Sequence, residues 1–294
     1  MDHGHALRRL FSDGRILPSL GVYDALSARV ACHLGAPSVY VTGFGAAAAR
    51  LGVPDIGLMS MSEMVEHLRC IAGAVSCPVI ADADTGYGGP ANVQRTVREY
   101  EAAGADVIQL EDQEWPKRCG HMEGKRLVPA EAMVQRIQVA VAARKNPDVL
   151  IMARTDAIAV EGFDAAVRRA LAYQEAGADI LFVEAPRSEA DMARIPQLLD
   201  RPCLANMVEG GKTPFKTVSE LKEMGYAIAL FPISTLLASA MAVRKVVEAI
   251  LRDGSTHSLS GEIMTFGQFN ELIGLETFFQ LMDGAPMPNQ GGKR

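Results

Sequence analysis

The segments YEAAGADVIQLED (residues 100–112) and YQEAGADILFVEA (173–185) repeat one pattern in the chain. Each predicts the end of a helix, a glycine stop, a tight turn and a buried strand. Short runs rich in Val and Ile recur elsewhere, and each is followed by a polar turn and a longer stretch with helical spacing. This alternation predicts βα units around a parallel sheet. The candidate strands are residues 17–23, 38–42, 78–83, 106–111, 149–154, 179–184, 203–207 and 227–231.

Eight strands predict an α/β fold of the (β/α)8 TIM-like barrel type. The 294 residues and 49% hydrophobic composition suit one large domain, residues 1–294, since such a barrel needs about 250 residues. A doubly wound sheet is the alternative, but its GxGxxG fingerprint after the first strand is missing. Gly43-Phe44-Gly45 is only a partial match and is better explained as a loop after the second strand.

The alternation stops near residue 253, and residues 264–282 again have apolar side chains at helical spacing. We therefore expect extra C-terminal helices over about residues 255–285. Their apolar face must be covered either by the parent barrel or by a partner subunit.

Composition narrows the class of partner. The net charge of −6 provides no excess of Lys and Arg for nucleic acid or anionic membranes. The first 30 residues contain no apolar secretory segment, and no run of about 18 uncharged apolar residues follows. Five scattered cysteines are typical of reduced cytosolic thiols. We expect a soluble cytoplasmic protein that takes a small molecule.

Polar residues end five consecutive predicted strands. Alone, each would more often be a helix cap or a surface turn. Together they favour a site, because the carboxyl ends of barrel strands form the catalytic face. The residues are Asp82, Asp84, Glu111, Asp112, Arg154, Asp156, Glu184 and Asn206.

Asp82 and Asp84 are two residues apart, so both side chains would point to one face of an extended strand. Adjacent carboxylates repel each other unless a cation lies between them. With Glu111 on the next strand they form a hard oxygen set, which suits Mg²⁺, or Mn²⁺ in its place, and does not suit Zn²⁺.

Residues 111–128 form a long connection that places Cys119 among Lys117, Arg118 and Lys125. Neighbouring cations favour a thiolate, although a buried inert cysteine among solvated charges is the alternative. Arg154 lies within an apolar run, so we expect it to pair with a carboxylate of the protein or of a substrate.

Several of these motifs together resemble the isocitrate lyase and phosphoenolpyruvate mutase superfamily, over about residues 15–285. Within it, methylisocitrate lyases and the dimethylmalate or petal-death type lyases are the most similar branches. The KRCGH motif is specific, since the mutase and oxaloacetate decarboxylase branches generally lack its cysteine. The motifs are KRCGH (117–121), ADADTGYGG (81–89), QLEDQ (109–113), LIMARTDA (150–157) and NMVEGGKTP (206–214).

The resemblance implies roles for individual residues. Asp82 and Asp84 would hold magnesium, with Asp55 and Glu111 around them. Cys119 would be the catalytic acid on a gating loop, and the base would be Tyr40, Glu184 or a metal-bound water. The substrate would contact Thr42, Gly43, Phe44, Gly120, His121, Arg154, Glu184, Asn206 and Thr213.

The implied reaction is magnesium-dependent cleavage of a carbon-carbon bond in a 2-hydroxy di- or tricarboxylate, such as 2,3-dimethylmalate or 2-methylisocitrate. The products would be a 2-oxoacid and a carboxylic acid. The alternatives are an oxaloacetate decarboxylase, a phosphonate mutase or hydrolase on the same scaffold, and a barrel that only binds. The resemblance also implies a homotetramer of dimers that exchange C-terminal helices.

One departure from the superfamily pattern concerns the substrate. Methylisocitrate lyases have two arginines that bind the additional carboxylates of a tricarboxylate. Here FPISTLLASA (231–240) has Leu237 in the first arginine's place, and MTFGQFNEL (264–272) contains no arginine. Because an unpaired buried carboxylate costs several kcal/mol, this favours a dicarboxylate with an alkyl-bearing end, next to Leu236 and Leu237.

Overall fold

A computed structural model describes residues 3–120 and 122–284. Its eight strands form a closed barrel in which every neighbouring pair is parallel and consecutive in sequence, with β8 paired to β1. The predicted (β/α)8 fold is therefore confirmed. The strands are β1 (Leu17–Val22), β2 (Val39–Val41), β3 (Val79–Asp82), β4 (Val107–Glu111), β5 (Leu150–Thr155), β6 (Ile180–Val183), β7 (Cys203–Asn206) and β8 (Ile228–Phe231).

Helices follow the strands along the chain. The two repeated segments are built as expected: Gly104 and Gly177 adopt φ values of 102° and 104° after their helices, a backbone conformation that favours glycine. The helices are α1 (His3–Ser12), α2 (Ala25–His33), α3 (Gly43–Leu51), α4 (Met61–Ala72), α5 (Pro90–Ala103), α6 (Ala130–Ala143), α7 (Phe163–Glu175), α8 (Glu189–Leu198), α9 (Val218–Glu223), α10 (Ser234–Asp253), α11 (Phe266–Ile273) and α12 (Leu275–Met282).

The apolar core has two parts. One large cluster lies between the strands and the surrounding helices. A smaller one, which includes Leu17, Ile80, Met152 and Ile228, fills the barrel interior, and Leu7 of α1 belongs to it. Strands β2 to β7 are buried at every residue, which explains their continuous apolar runs. This rigid frame positions the residues at the strand ends.

The described residues form two compact units, the first up to Leu237 and the second from Ala238 onward. In the second unit, the predicted helical stretch 264–282 is two helices, α11 and α12. Gly274 separates them with φ 78°. None of the described helices has both the length and the apolar character needed to span a bilayer.

Candidate active site

A cavity of about 270 Å³ lies at the carboxyl ends of the strands. Eleven of the residues singled out from the sequence line it: Tyr40, Thr42, Phe44, Asp55, Asp82, Glu111, Cys119, Gly120, Arg154, Glu184 and Asn206. Three others, Gly43, Asp84 and Thr213, do not line the cavity. His121 lies outside the described residues.

The acidic cluster begins at Asp82, the last residue of β3. Its Oδ2 accepts a hydrogen bond from Gly43 N (3.3 Å), and its Oδ1 accepts from Gln109 Nε2 (3.1 Å). The backbone N of Asp84 also donates to Asp82 Oδ1 (3.0 Å). Asp84 lies beyond the strand with φ 48°, so the expected two-residue alternation ends before it. The two carboxylates are brought together by a turn and not by a shared strand face.

Lys117 completes this cluster, and the sequence alone did not identify that role. Its Nζ lies 2.6 Å from the carboxylate of Asp55 and 2.8 Å from Asp84 Oδ1. Burial raises the pKa of Asp84 to about 6, even though the ammonium of Lys117 lowers it. Burial lowers the pKa of Lys117, but the carboxylates of Asp84 and Asp55 outweigh this and hold the pKa well above its ordinary value.

The cluster fits a divalent cation. The buried oxygens Glu111 Oε1 and Asp84 Oδ1 accept no hydrogen bond from the described residues, although the ammonium of Lys117 lies beside Asp84 Oδ1. Burial also raises the pKa of Glu111. Among the described residues, no group of three or more His, Cys, Asp or Glu side chains is arranged to hold a metal ion. Mg²⁺ does not require one, because it commonly binds through one or two carboxylates and completes its shell with water and substrate oxygens.

Arg154 projects from β5 into a ring of carboxylates. Its Nη2 lies 3.2 Å from Glu184 Oε2, and its Nε lies 3.5 Å from Glu111 Oε2. Asp156 accepts hydrogen bonds from Nε (3.0 Å) and Nη2 (3.1 Å). The guanidinium also lies 5.0 Å from the ring centre of Phe182. Three carboxylates of the protein therefore pair with Arg154, which was expected to pair with a carboxylate of the protein or of a substrate.

The segment of residues 113–128, which we call the gating segment, brings Cys119 to the cavity. Cys119 is a thiol without a disulfide. Gly120 packs so closely on the site that a Cβ there would lie 2.8 Å from Glu184 Oε2 and closer still to Arg154 Nη2. Only glycine allows the backbone beside the thiol to approach these side chains.

Tyr40 is buried, and its hydroxyl donates to Gln109 Oε1 (2.8 Å). Burial raises the pKa of Tyr40 well above its ordinary value, and the nearby carboxylate of Asp82 raises it further. The phenol is thus held protonated, which weakens it as a candidate base. Gln109, which joins Tyr40 to Asp82, was also missed. It lies two residues before Glu111 on β4, so strand alternation predicts that both face the same side.

Two predicted substrate contacts remain, Asn206 in the cavity wall and Thr213, which does not line the cavity. Asn206 Nδ2 donates to Glu184 Oε2 (3.1 Å), whereas Asn206 Oδ1 and the buried Thr213 Oγ1 have no hydrogen-bond partner among the described residues. The apolar part of the wall differs from the expectation. Leu236 and Leu237, in the first turn of α10, do not line the cavity. The apolar side chains there are Val208, Leu230, Pro232 and Ile233.

The barrel and this site define the class of protein: an enzyme with a cluster of buried carboxylates, a buried arginine and a thiol on a loop. The model of the phosphoenolpyruvate phosphomutase family matches residues 7–251. The chain belongs to this family, which joins the phosphoenolpyruvate mutases and isocitrate lyases in one superfamily.

Two curated relatives cover almost the whole chain. The 2,3-dimethylmalate lyase of Eubacterium barkeri is 47% identical over 94% of this chain and 96% of its own length. The 2-methylisocitrate lyase of Aeropyrum pernix is 44% identical over 94% of this chain and 88% of its own.

Two solved structures share the fold. A crystal structure of 2,3-dimethylmalate lyase superposes with a TM-score of 0.91 at 37% identity, covering 100% of this chain and 99% of that one. A phosphonopyruvate hydrolase complexed with oxalate and Mg²⁺ gives a TM-score of 0.87 at 32% identity, covering 96% and 99%.

Proposed function

We propose that this enzyme is a magnesium-dependent carbon-carbon lyase that cleaves a 2-hydroxy dicarboxylate of the 2,3-dimethylmalate type into a 2-oxoacid and a carboxylic acid. The observation that carries the proposal is the convergence of Cys119, Arg154 and the Asp82 cluster on one cavity. The relatives named as lyases support it.

Magnesium would be held by Asp82 and Asp84, with Asp55 and Glu111 around it, and Mn²⁺ could replace it. When bound, the cation would chelate the 2-hydroxy acid and lower the pKa of its hydroxyl. The hydrolase complexed with oxalate and Mg²⁺ supports this assignment, because oxalate presents two adjacent oxygens to a metal as a 2-oxoacid does.

The protein's own groups would then carry the proton transfers. The guanidinium of Arg154 would orient a substrate carboxylate, and the hydroxyl of Thr213 would donate a hydrogen bond to it. Asn206 Oδ1, which like Thr213 Oγ1 has no hydrogen-bond partner among the described residues, would accept a hydrogen bond from a substrate hydroxyl. Glu184 would accept the hydroxyl proton as the carbon-carbon bond breaks. We favour it as base over Tyr40, since the phenol of Tyr40 is protonated and donates to Gln109.

Bond cleavage leaves an enolate of the departing carboxylic acid, and Cys119 would donate a proton to its carbon. The backbone of Thr42, Gly43 and Phe44 would enclose the 2-oxoacid product. Closure of the gating segment excludes water from the enolate and delivers the thiol. Gly120 makes this approach possible, and His121 follows it in the sequence as a further proposed contact.

The cavity wall supports a substrate with an alkyl-bearing end. Val208, Leu230, Pro232 and Ile233 present apolar surface there, and no lining cation stands among them. An added carboxylate against this wall would be desolvated without a partner, which is costly. A dimethylmalate-type acid would bury its methyl groups instead, at about 0.8 kcal/mol for each carbon.

The test is 2-oxoacid release with Mg²⁺ from 2,3-dimethylmalate and from 2-methylisocitrate in parallel. We expect a higher kcat/KM for the dicarboxylate. Preference for 2-methylisocitrate would overturn the argument from the apolar wall. Turnover of oxaloacetate or phosphonopyruvate alone would instead support the decarboxylase or phosphonate activities that this scaffold also carries.

We further propose a cytoplasmic homotetramer that binds a small carboxylate and neither nucleic acid nor membrane. The second unit supports the oligomer, because its helices expose large apolar side chains: Leu251 is 81% exposed, Phe266 84% and Met282 81%. Exchange of these helices between subunits would cover them. A single domain of residues 1–294 with a C-terminal helical extension would accommodate this exchange.

A further inference from the structure

A buried charge cluster lies beneath the site and contains residues that the proposed reaction does not use. Asp156 follows β5 and is 0% exposed. Besides its two hydrogen bonds from Arg154, its Oδ1 lies 3.2 Å from the ammonium of Lys125. Although burial raises the pKa of Asp156, the charges of Arg154 and Lys125 lower it below its ordinary value. Asp156 is therefore an anion shared by two cations.

The two cations belong to different parts of the molecule. Arg154 is fixed on β5. Lys125 belongs to the gating segment, and its side chain is buried, with only 1% of its surface exposed. Its Nζ also donates to the carbonyl oxygen of Gly120. Lys125 thus joins Asp156 to the backbone of Gly120, the residue after Cys119.

The position of Asp156 is itself fixed by Asp112, at the end of β4. Asp112 Oδ1 accepts a hydrogen bond from the backbone N of Asp156 (3.0 Å), and Oδ2 accepts from Thr155 Oγ1 (2.7 Å) and Tyr173 OH (2.8 Å). The backbone O of Asp112 accepts from Val128 N (2.9 Å), where the gating segment ends. The carboxylate of Asp156, which binds Lys125, is therefore held in place by residues of the barrel.

We propose that Lys125 and Asp156 are positioning residues, which place the thiol of Cys119 in register with Arg154 by joining the gating segment to β5. The proposal deepens the lyase function and rests on it for its kinetic test. Contacts at Gly120 alone would not achieve this placement, because they only limit how close the segment approaches. Lys117 holds the segment before Cys119 through Asp55 and Asp84, and Lys125 with Asp156 supplies the attraction on the other side of the thiol.

The test compares Lys125→Met with Arg126→Met as a matched control. Arg126 is the adjacent residue of the same segment, but its side chain is 72% exposed and pairs with the half-exposed Glu114. We expect Lys125→Met to lower kcat about 100-fold, the usual effect of misplacing a reacting group by about 1 Å, with a smaller change in KM. Arg126→Met should keep the wild-type kcat.

A second readout needs no turnover. Iodoacetamide labelling of Cys119, measured by peptide mass spectrometry against the exposed Cys70 as reference, should be faster in Lys125→Met than in Arg126→Met. Equal labelling of Cys119 in the two variants would overturn the proposal. So would an unchanged kcat in Lys125→Met. If the wild type cleaves neither acid, the lyase proposal fails, and the labelling comparison decides the positioning role by itself.

Asp156→Asn keeps the shape of the side chain and removes its charge. Because the substitution weakens the ion pairs of residue 156 with both Arg154 and Lys125, we expect it to raise KM as well as to lower kcat. A purely structural role would lower the melting temperature and the active fraction with KM unchanged, and that result would overturn the assignment of Asp156. If this variant does not fold, the Lys125→Met comparison stands alone as the test.

Discussion

The contact of Gly120 with Arg154 and Glu184 allows activity and stability to be separated by one methyl group. In Gly120→Ala the new Cβ would lie 2.8 Å from Glu184 Oε2 and closer still to Arg154 Nη2, whereas ordinary contacts begin near 3.4 Å. The gating segment must therefore retreat by roughly 1 Å, because Arg154 is held by three carboxylates. A misplacement of this size costs about 100-fold in rate, or about 2.7 kcal/mol in the barrier.

The same substitution should have a much smaller effect on the fold. Gly120 does not have a left-handed φ, so alanine restricts the unfolded chain, and this gain of about 0.4–1 kcal/mol offsets part of the contact that the retreating segment loses. We expect a 2-oxoacid release assay to show kcat/KM about 100-fold lower in Gly120→Ala, with a melting temperature at or slightly below wild type. Gly89→Ala is the control, since φ there is −77° and no atom lies within 4 Å of its Cβ. Wild-type kcat/KM in Gly120→Ala would refute the argument that the segment closes this tightly.

Three further predictions concern the acid, the metal and the assembly. Cys119→Ser should abolish turnover in the same assay while Mg²⁺ with oxalate still raises the melting temperature; undiminished turnover would eliminate the thiol as the acid. Asp82→Asn should remove the rise in melting temperature that Mg²⁺ causes in the wild type, because the amide is a weak ligand for a hard cation; a retained rise would place the cation elsewhere. Light scattering should give the mass of a tetramer, and Phe266→Asp on the exposed face of the second unit should lower that mass; a monomeric wild type would contradict helix exchange.

The sequence predicted the barrel because its information is local. Each strand is a short apolar run, and every observed strand begins and ends within one residue of the predicted position. The repeated glycine stops at Gly104 and Gly177 have the left-handed backbone that the pattern requires. Apolar periodicity did not predict two local changes in the backbone. The positive φ of Gly274 divides the C-terminal helix into two, and the turn at Asp84 ends the strand alternation.

The pairings within the site were harder to predict, because long side chains contact residues that are far away in the sequence. Lys117 pairs with Asp55 across 62 positions, and Tyr40 donates to Gln109 across 69. The resemblance singles out Tyr40 and Asp55, but the spacing of these four residues along the chain does not reveal which of them pair. Their roles become visible only when the barrel brings the strand ends and the gating segment together.

Charge balance gives a further reason to place a cation here. The buried residues around the cavity include six carboxylates, and three cationic side chains face them, Lys117, Lys125 and Arg154. The carboxylates are those of Asp55, Asp82, Asp84, Glu111, Asp156 and Glu184. Buried charge without a partner costs several kcal/mol, so such a group takes up a proton or a cation. Burial raises the pKa of Asp84 to about 6 and also raises the pKa of Glu111, so these two carboxylates gain most from a nearby cation. Arg154 and Lys125 already satisfy Asp156, which leaves the Asp82 cluster as the part of the site that a divalent cation would stabilise most.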